Sequence, residues 1–245
     1  MMRLVGEPVS YTGAIAFPFY VVILARTLSH TSLARKLEDF INRIACDPLA
    51  DDCVMLGVIV ASDQAQVMVP LSYADDIVLP SSLPSGGDVL APALEEFVAQ
   101  FTKDFANLRR HGCRVWRPCM LLVLADRPLD CREWKSTLER LVRYDPKRKV
   151  GNKYYPHISV FGSSSVGVDV LRSIAYPDFG SIPGRWFMIE EGGFDDILDV
   201  ALKVAEKAVS SLFEARVEVR SWPSYFCDLD DVPGIVSGVP ERLSD

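Results

Sequence analysis

The chain has 245 residues, 49% apolar and 24% charged, a balance that can bury a substantial core and excludes wholesale disorder. Its formal net charge is −7, and the short basic run Lys147, Arg148 and Lys149 reads as a solvated loop, so no nucleic-acid partner is expected. The longest apolar run, 14–25, contains Pro18 and falls far short of the ~20 residues of a spanning helix. With no secretory pattern ahead of it, the expectation is a cytoplasmic protein with no membrane partner.

Six cysteines, Cys46, Cys53, Cys113, Cys119, Cys131 and Cys227, form no CxxC pair and no zinc spacing. Isolated thiols are expected, without a disulfide framework or structural zinc.

In chain order, residues 19–24 (FYVVIL) form a continuous aromatic and β-branched run that suits a central strand buried on both faces. Residues 32–44 place Leu33, Leu37, Phe40, Ile41 and Ile44 at helical spacing, opposite a polar face. Two β-rich runs, 54–60 and 66–69, are separated by five residues including Ser62 and Asp63 and read as a hairpin, its second arm antiparallel at a sheet edge. A Pro/Ser/Gly stretch, 79–87, precedes a helix over 90–108, and 119–124 (CMLLVL) is another buried strand. Helices over 132–142, 166–174 and 194–213 then alternate with strands over 155–161 and 186–189. Such alternation calls for βαβ units, a mostly parallel sheet with one antiparallel edge strand, and helices on both faces: a doubly wound, Rossmann-like α/β sandwich. Residues 214–245 carry Trp222, Tyr225 and Phe226 among prolines and glycines, and read either as a strap on the domain or as a peptide for a partner.

Ligands of such sheets bind beyond the carboxyl ends of the strands, where strand order reverses. Three loops should meet there: 25–32, 85–90 and 125–130. In order along the chain, the segments FYVVILARTLSH, DPLADDCVMLGVIVASDQAQVMVPLS, LPSGGDVLAPAL and RPCMLLVLADRPLD resemble the von Willebrand factor A (vWA) domain, and within that superfamily the bacterial TerY-like proteins of tellurite-resistance and stress operons. The resemblance covers 18–213, implying one vWA-like domain over 1–213 followed by the 214–245 segment.

The resemblance implies a metal-ion-dependent adhesion site on those three loops, and its motif falls on Ala25, Thr27, Ser29, Asp88 and Asp126. Ala25 stands where the family has its first Asp. Thr27 and Ser29 keep hydroxyls, Asp88 replaces a metal-binding Thr, and Asp126 retains the last carboxylate. A methyl cannot imitate a charged ligand, so the implied site is degenerate and no cofactor is expected. Two alternatives stay open: a rearranged magnesium site on Thr27, Ser29, Asp88 and Asp126, or a guanidinium, Arg26 or Arg127, pairing with Asp88 or Asp126 in place of the cation.

No nucleophile with an activating base is visible, so no catalytic residue is assigned and an enzyme is not expected. His30, His111 and His157 are too widely spaced for a zinc motif, and His157, within a strand, reads as a satisfied core or edge histidine. Gly86 and Gly87 could open a phosphate-binding turn, but Asp88 supplies the wrong charge. Gly162 with Ser163, Ser164 and Ser165 reads as a strand-to-helix turn with an N-cap, and Cys113 and Cys119 around Trp116 read as packing. The function implied is recognition of another protein; the alternatives are a divalent-cation-dependent binder on the rearranged site and, behind it, a small hydrolase or nucleotide-dependent enzyme at the same loops.

Overall fold

The computed structural model describes residues 14–25, 29–61, 65–81, 87–145, 147–178, 183–214 and 234–240. The elements, in chain order, are β1 (Ile15–Leu24), α1 (His30–Ala45), α2 (Pro48–Cys53), β2 (Val54–Val60), β3 (Gln66–Tyr73), α3 (Ala91–Arg110), β4 (Arg114–Val115), β5 (Cys119–Leu124), α4 (Cys131–Val142), β6 (Tyr144–Asp145), β7 (Val150–Gly151), β8 (His157–Ser163), α5 (Val168–Ile174), β9 (Arg185–Ile189), α6 (Phe194–Glu214) and β10 (Ile235–Gly238).

The main sheet runs β10-β9-β8-β5-β1-β2-β3, with β4 also pairing β1. Strands β2, β1, β5, β8 and β9 are mutually parallel. The expected antiparallel edge is β3, paired with β2. A further antiparallel strand, β10, closes the opposite edge on β9. It comes from the 214–245 segment; Trp222, Tyr225 and Phe226 lie outside the described residues, as does Cys227.

Period-two alternation on β1 splits its side chains between two cores. Phe17, Phe19, Val21 and Ile23 pack with α1 and α6, while Tyr20, Val22 and Leu24 pack with α3, α4 and α5. Each such fully buried side chain contributes about 1.5–3 kcal/mol, which is why a strand without a polar face is stable only between two helical layers. Tyr20 needs space on the neighbouring strand: a Cβ at its register partner Gly57 would lie 2.8 Å from the ring. Its phenol donates to Asp104 Oδ2 at 2.7 Å, and burial holds the phenol far above its ordinary range.

Strand β1 begins four residues earlier and β3 ends four residues later than the sequence reading, and three further departures have local reasons. Strand β8 starts at His157, not at residue 155, because Pro156 has no N–H to enter the ladder. Helix α5 starts at Val168, two residues later than expected, and its N-cap is Gly167 at φ +86°, not one of the serines. Helix α2 was not anticipated; Asp47 Oδ1 accepts the Ala50 N–H at 3.3 Å ahead of it, and Pro48 opens it.

Candidate binding rim at the carboxyl ends of the strands

Strand order reverses between β1 and β5: from β1 the chain crosses to β2 on one side, and β5 lies on the other. Ala25 and Ala125 therefore sit side by side at the head of the reversal, and the Ala125 N–H donates to Leu24 O at 2.9 Å. Ala25 is buried, with 1% of its surface exposed.

The loop before α3 is tied to the loop after β5 twice. The Leu129 N–H donates to Asp88 O at 2.9 Å. The Asp130 carboxylate accepts the Leu90 N–H at 2.9 Å and the Ala91 N–H at 2.6 Å. One aspartate thus serves two helices, since its own backbone carbonyl accepts the Trp134 N–H at the start of α4. Free N–H groups at a helix start attract anions, and these two are already committed to a carboxylate of the same chain. Those two amides are therefore not open to a phosphate beside Gly87; Gly86 lies outside the described residues.

Ser163 Oγ donates to Ala125 O at 3.1 Å and lies 2.6 Å from Ser165 Oγ. The serines expected to cap α5 instead brace the end of β5. Arg127 Nη2 donates to Asp169 Oδ2 on α5 at 2.8 Å. The expected pairing of Arg127 with Asp88 or Asp126 is corrected: loop direction carries its guanidinium toward α5. Arg26 and Thr27 lie outside the described residues. Ser29, exposed, is the N-cap of α1; its carbonyl accepts the Leu33 N–H at 2.9 Å and its side chain makes no capping bond.

Asp88 and Asp126, both half-buried, are on the two loops joined by the Leu129 bond. Leu129 itself, fixed by that bond, is 62% exposed. Sequence reasoning missed both Asp130, whose partners lie about 40 residues away, and Leu129.

Away from the rim, His111 Nδ1 lies 2.9 Å from Asn107 O at the end of α3. His157 is buried with Nε2 3.2 Å from Pro183 O, and burial pushes its pKa down to about 4. It is a neutral core histidine. Trp116 stacks on Phe17 at 5.2 Å beside buried Cys113 and Cys119, so that group is packing. The five described cysteines are free thiols, and no helix among the described residues is long and apolar enough to cross a membrane.

The chain matches no protein-family profile and no curated protein. Among solved structures, proximal thread matrix protein 1 from the mussel byssus superposes with a TM-score of 0.50 at 13% identity, over 81% of this chain and 49% of that one. At that identity the likeness is one of fold alone. A von Willebrand factor type A structure from Catenulispora acidiphila gives 0.48 at 13% identity, over 79% of this chain and 43% of that one. The ArnB paralog VWA2 from Sulfolobus acidocaldarius gives 0.47 at 12% identity, over 80% of this chain and 46% of that one. The chain spans about half the length of these structures.

The resemblance of the sequence to vWA domains raises the question of a magnesium ion on these loops. Ala25 offers no oxygen at the head of β1, and among the described residues no three His, Cys, Asp or Glu side chains gather into a group that could hold a metal. On the three loops the described side-chain oxygens are the carboxylates of Asp88, Asp126 and Asp130 and the hydroxyls of Ser29, Thr31 and Ser32, and the Asp130 carboxylate already accepts the Leu90 and Ala91 N–H groups.

Proposed function

We propose that this chain is a non-enzymatic protein-binding module whose rim recognises another protein by surface shape and hydrogen bonds, with no metal bridge. The observation that carries this reading is Ala25: a buried methyl at the strand reversal, where the vWA resemblance implies an anchoring carboxylate. Supporting it is a rim braced in advance by Asp130 and Ser163 and presenting an exposed, fixed Leu129. A preformed surface loses little conformational entropy on binding, so shape and apolar contact can supply affinity without a cation. A stress-operon setting rests on the TerY-like resemblance of the four segments.

The test is capture of a protein partner by the tagged chain with and without EDTA. Retention in EDTA, together with a loss of about tenfold or more in Leu129→Asp, as for a residue central to an interface, is the expected result. A partner released whenever divalent ions are removed would favour the rearranged site on Thr27, Ser29, Asp88 and Asp126.

A further inference from the structure

The short basic run gains company when the chain folds. It lies on the β6–β7 hairpin, at the end of the sheet opposite the rim, where α3 finishes and β5 begins. Arg117 Nε donates to Lys153 O at 3.1 Å, and the Tyr154 ring lies 4.4 Å from Phe105 of α3. Arg109, one helical turn beyond Phe105, shares that side of the helix.

Segments 103–117 and 140–153 together hold eleven of the chain's 26 Lys and Arg and two carboxylates, Asp104 and Asp145; Glu139 precedes the second segment, and Arg140 pairs with Glu95 at 3.1 Å. Asp104 is engaged by Tyr20 and Gln100. Asp145 Oδ1 accepts the backbone N–H groups of Lys147 and Arg148, and its Oδ2 lies 3.7 Å from Arg148 Nε, an exposed pair that an anionic headgroup can replace. The cations Arg109, Arg110, Lys147, Arg148, Lys149 and Lys153 are all exposed. Among them stand Val150, 64% exposed, and Tyr154, 39% exposed.

We propose that this pole docks the protein peripherally on an anionic lipid bilayer, with Lys147, Arg148, Lys149 and Lys153 at the headgroups and Val150 entering the acyl boundary. Clustered cations beside an exposed apolar side chain suit that interface, where each Lys or Arg near the surface adds attraction and the apolar group adds burial. Single-stranded nucleic acid binding rests on aromatic platforms, and the rings here are engaged: Tyr154 on Phe105, Tyr155 under the Arg117 guanidinium at 4.1 Å. With a net charge of −7, the rest of the molecule is repelled by the same surface, so docking is oriented.

Sedimentation with vesicles of phosphatidylcholine alone, and of phosphatidylcholine with 30% phosphatidylglycerol, on the order of one anionic lipid in three, tests this. Binding to the anionic vesicles only, weakened by salt, is expected. Replacing Lys147, Arg148 and Lys153 by Ala should lower it on the order of 100-fold, at roughly fivefold per cation. Val150→Ser should lower it a few-fold with the salt dependence unchanged, and Arg35→Glu on α1 should leave it intact. Circular dichroism melts of each variant separate lost docking from lost folding. Equal binding to both vesicles, no binding to either, or an unaffected triple variant that melts like the parent would overturn the proposal. So would a single-stranded RNA probe that binds more tightly than the anionic vesicles and displaces them.

Discussion

At the carboxyl rim the connections are tied by short polar side chains, Asp130 on the α3 amides and Ser163 on Ala125 O, whereas at the opposite pole they are held by rings. There Tyr155 lies 5.2 Å from Tyr144, 5.3 Å from Tyr176 and beneath Arg117, and Trp116 stacks on Phe17. Hydrogen bonds fix loop positions through a few directed contacts, whereas rings hold them by filling volume. The contrast sets a hydrogen-bonded rim at one end of the sheet against a ring-packed, cation-coated cap at the other.

The comparison breaks most visibly at the ring-packed pole. Tyr155→Ala, at a site 3% exposed, should cost about 3–5 kcal/mol in urea unfolding, the usual loss for a buried aromatic. The same pole holds a pH dependence. His157 stays neutral when folded because burial lowers its pKa from 6.5 to about 4. Above 6.5 neither state takes up a proton and the contribution is complete. As pH falls from 6.5 toward 4, only the unfolded chain is protonated, and stability should drop by on the order of 3 kcal/mol. Equilibrium unfolding across that range checks it, and His157→Gln should remove this component of the slope.

At the rim the effects should be smaller and local. Asp130→Ala removes two charge-assisted bonds and should cost about 2 kcal/mol, with Asp130→Asn recovering part because its amide oxygen still accepts one N–H. Hydrogen exchange at Leu90 and Ala91 should speed up in both. The smallest change belongs to Arg127→Ala. Its pair with Asp169 is 50% and 68% exposed, so thermal melts should shift by less than ~0.5 kcal/mol equivalent.

Much of the scaffold was legible because its signal is local. Strands β2 and β5 occupy the residues that their apolar runs marked, and the amphipathic stripes of α1, α3 and α4 located those helices within two residues. What escaped notice lacks a period. Strands β4, β6 and β7 are two residues each, and their pairing is set by tertiary packing. For α2 a signal was present in Asp47 followed by Pro48, an N-cap and N1 pair inside a segment read only as a hairpin approach. The rim's residues were found through the ordered motifs, but their partners were not. Asp130 caps a helix 40 residues away and Arg127 turns to α5, and no spacing along the chain encodes either contact.

Calorimetric titration of magnesium and manganese into the full chain tests the metal-independent rim most directly. No saturable binding is expected at micromolar concentrations, in the parent and in Asp126→Ala alike. Micromolar affinity in the parent that vanishes in Asp126→Ala would contradict it.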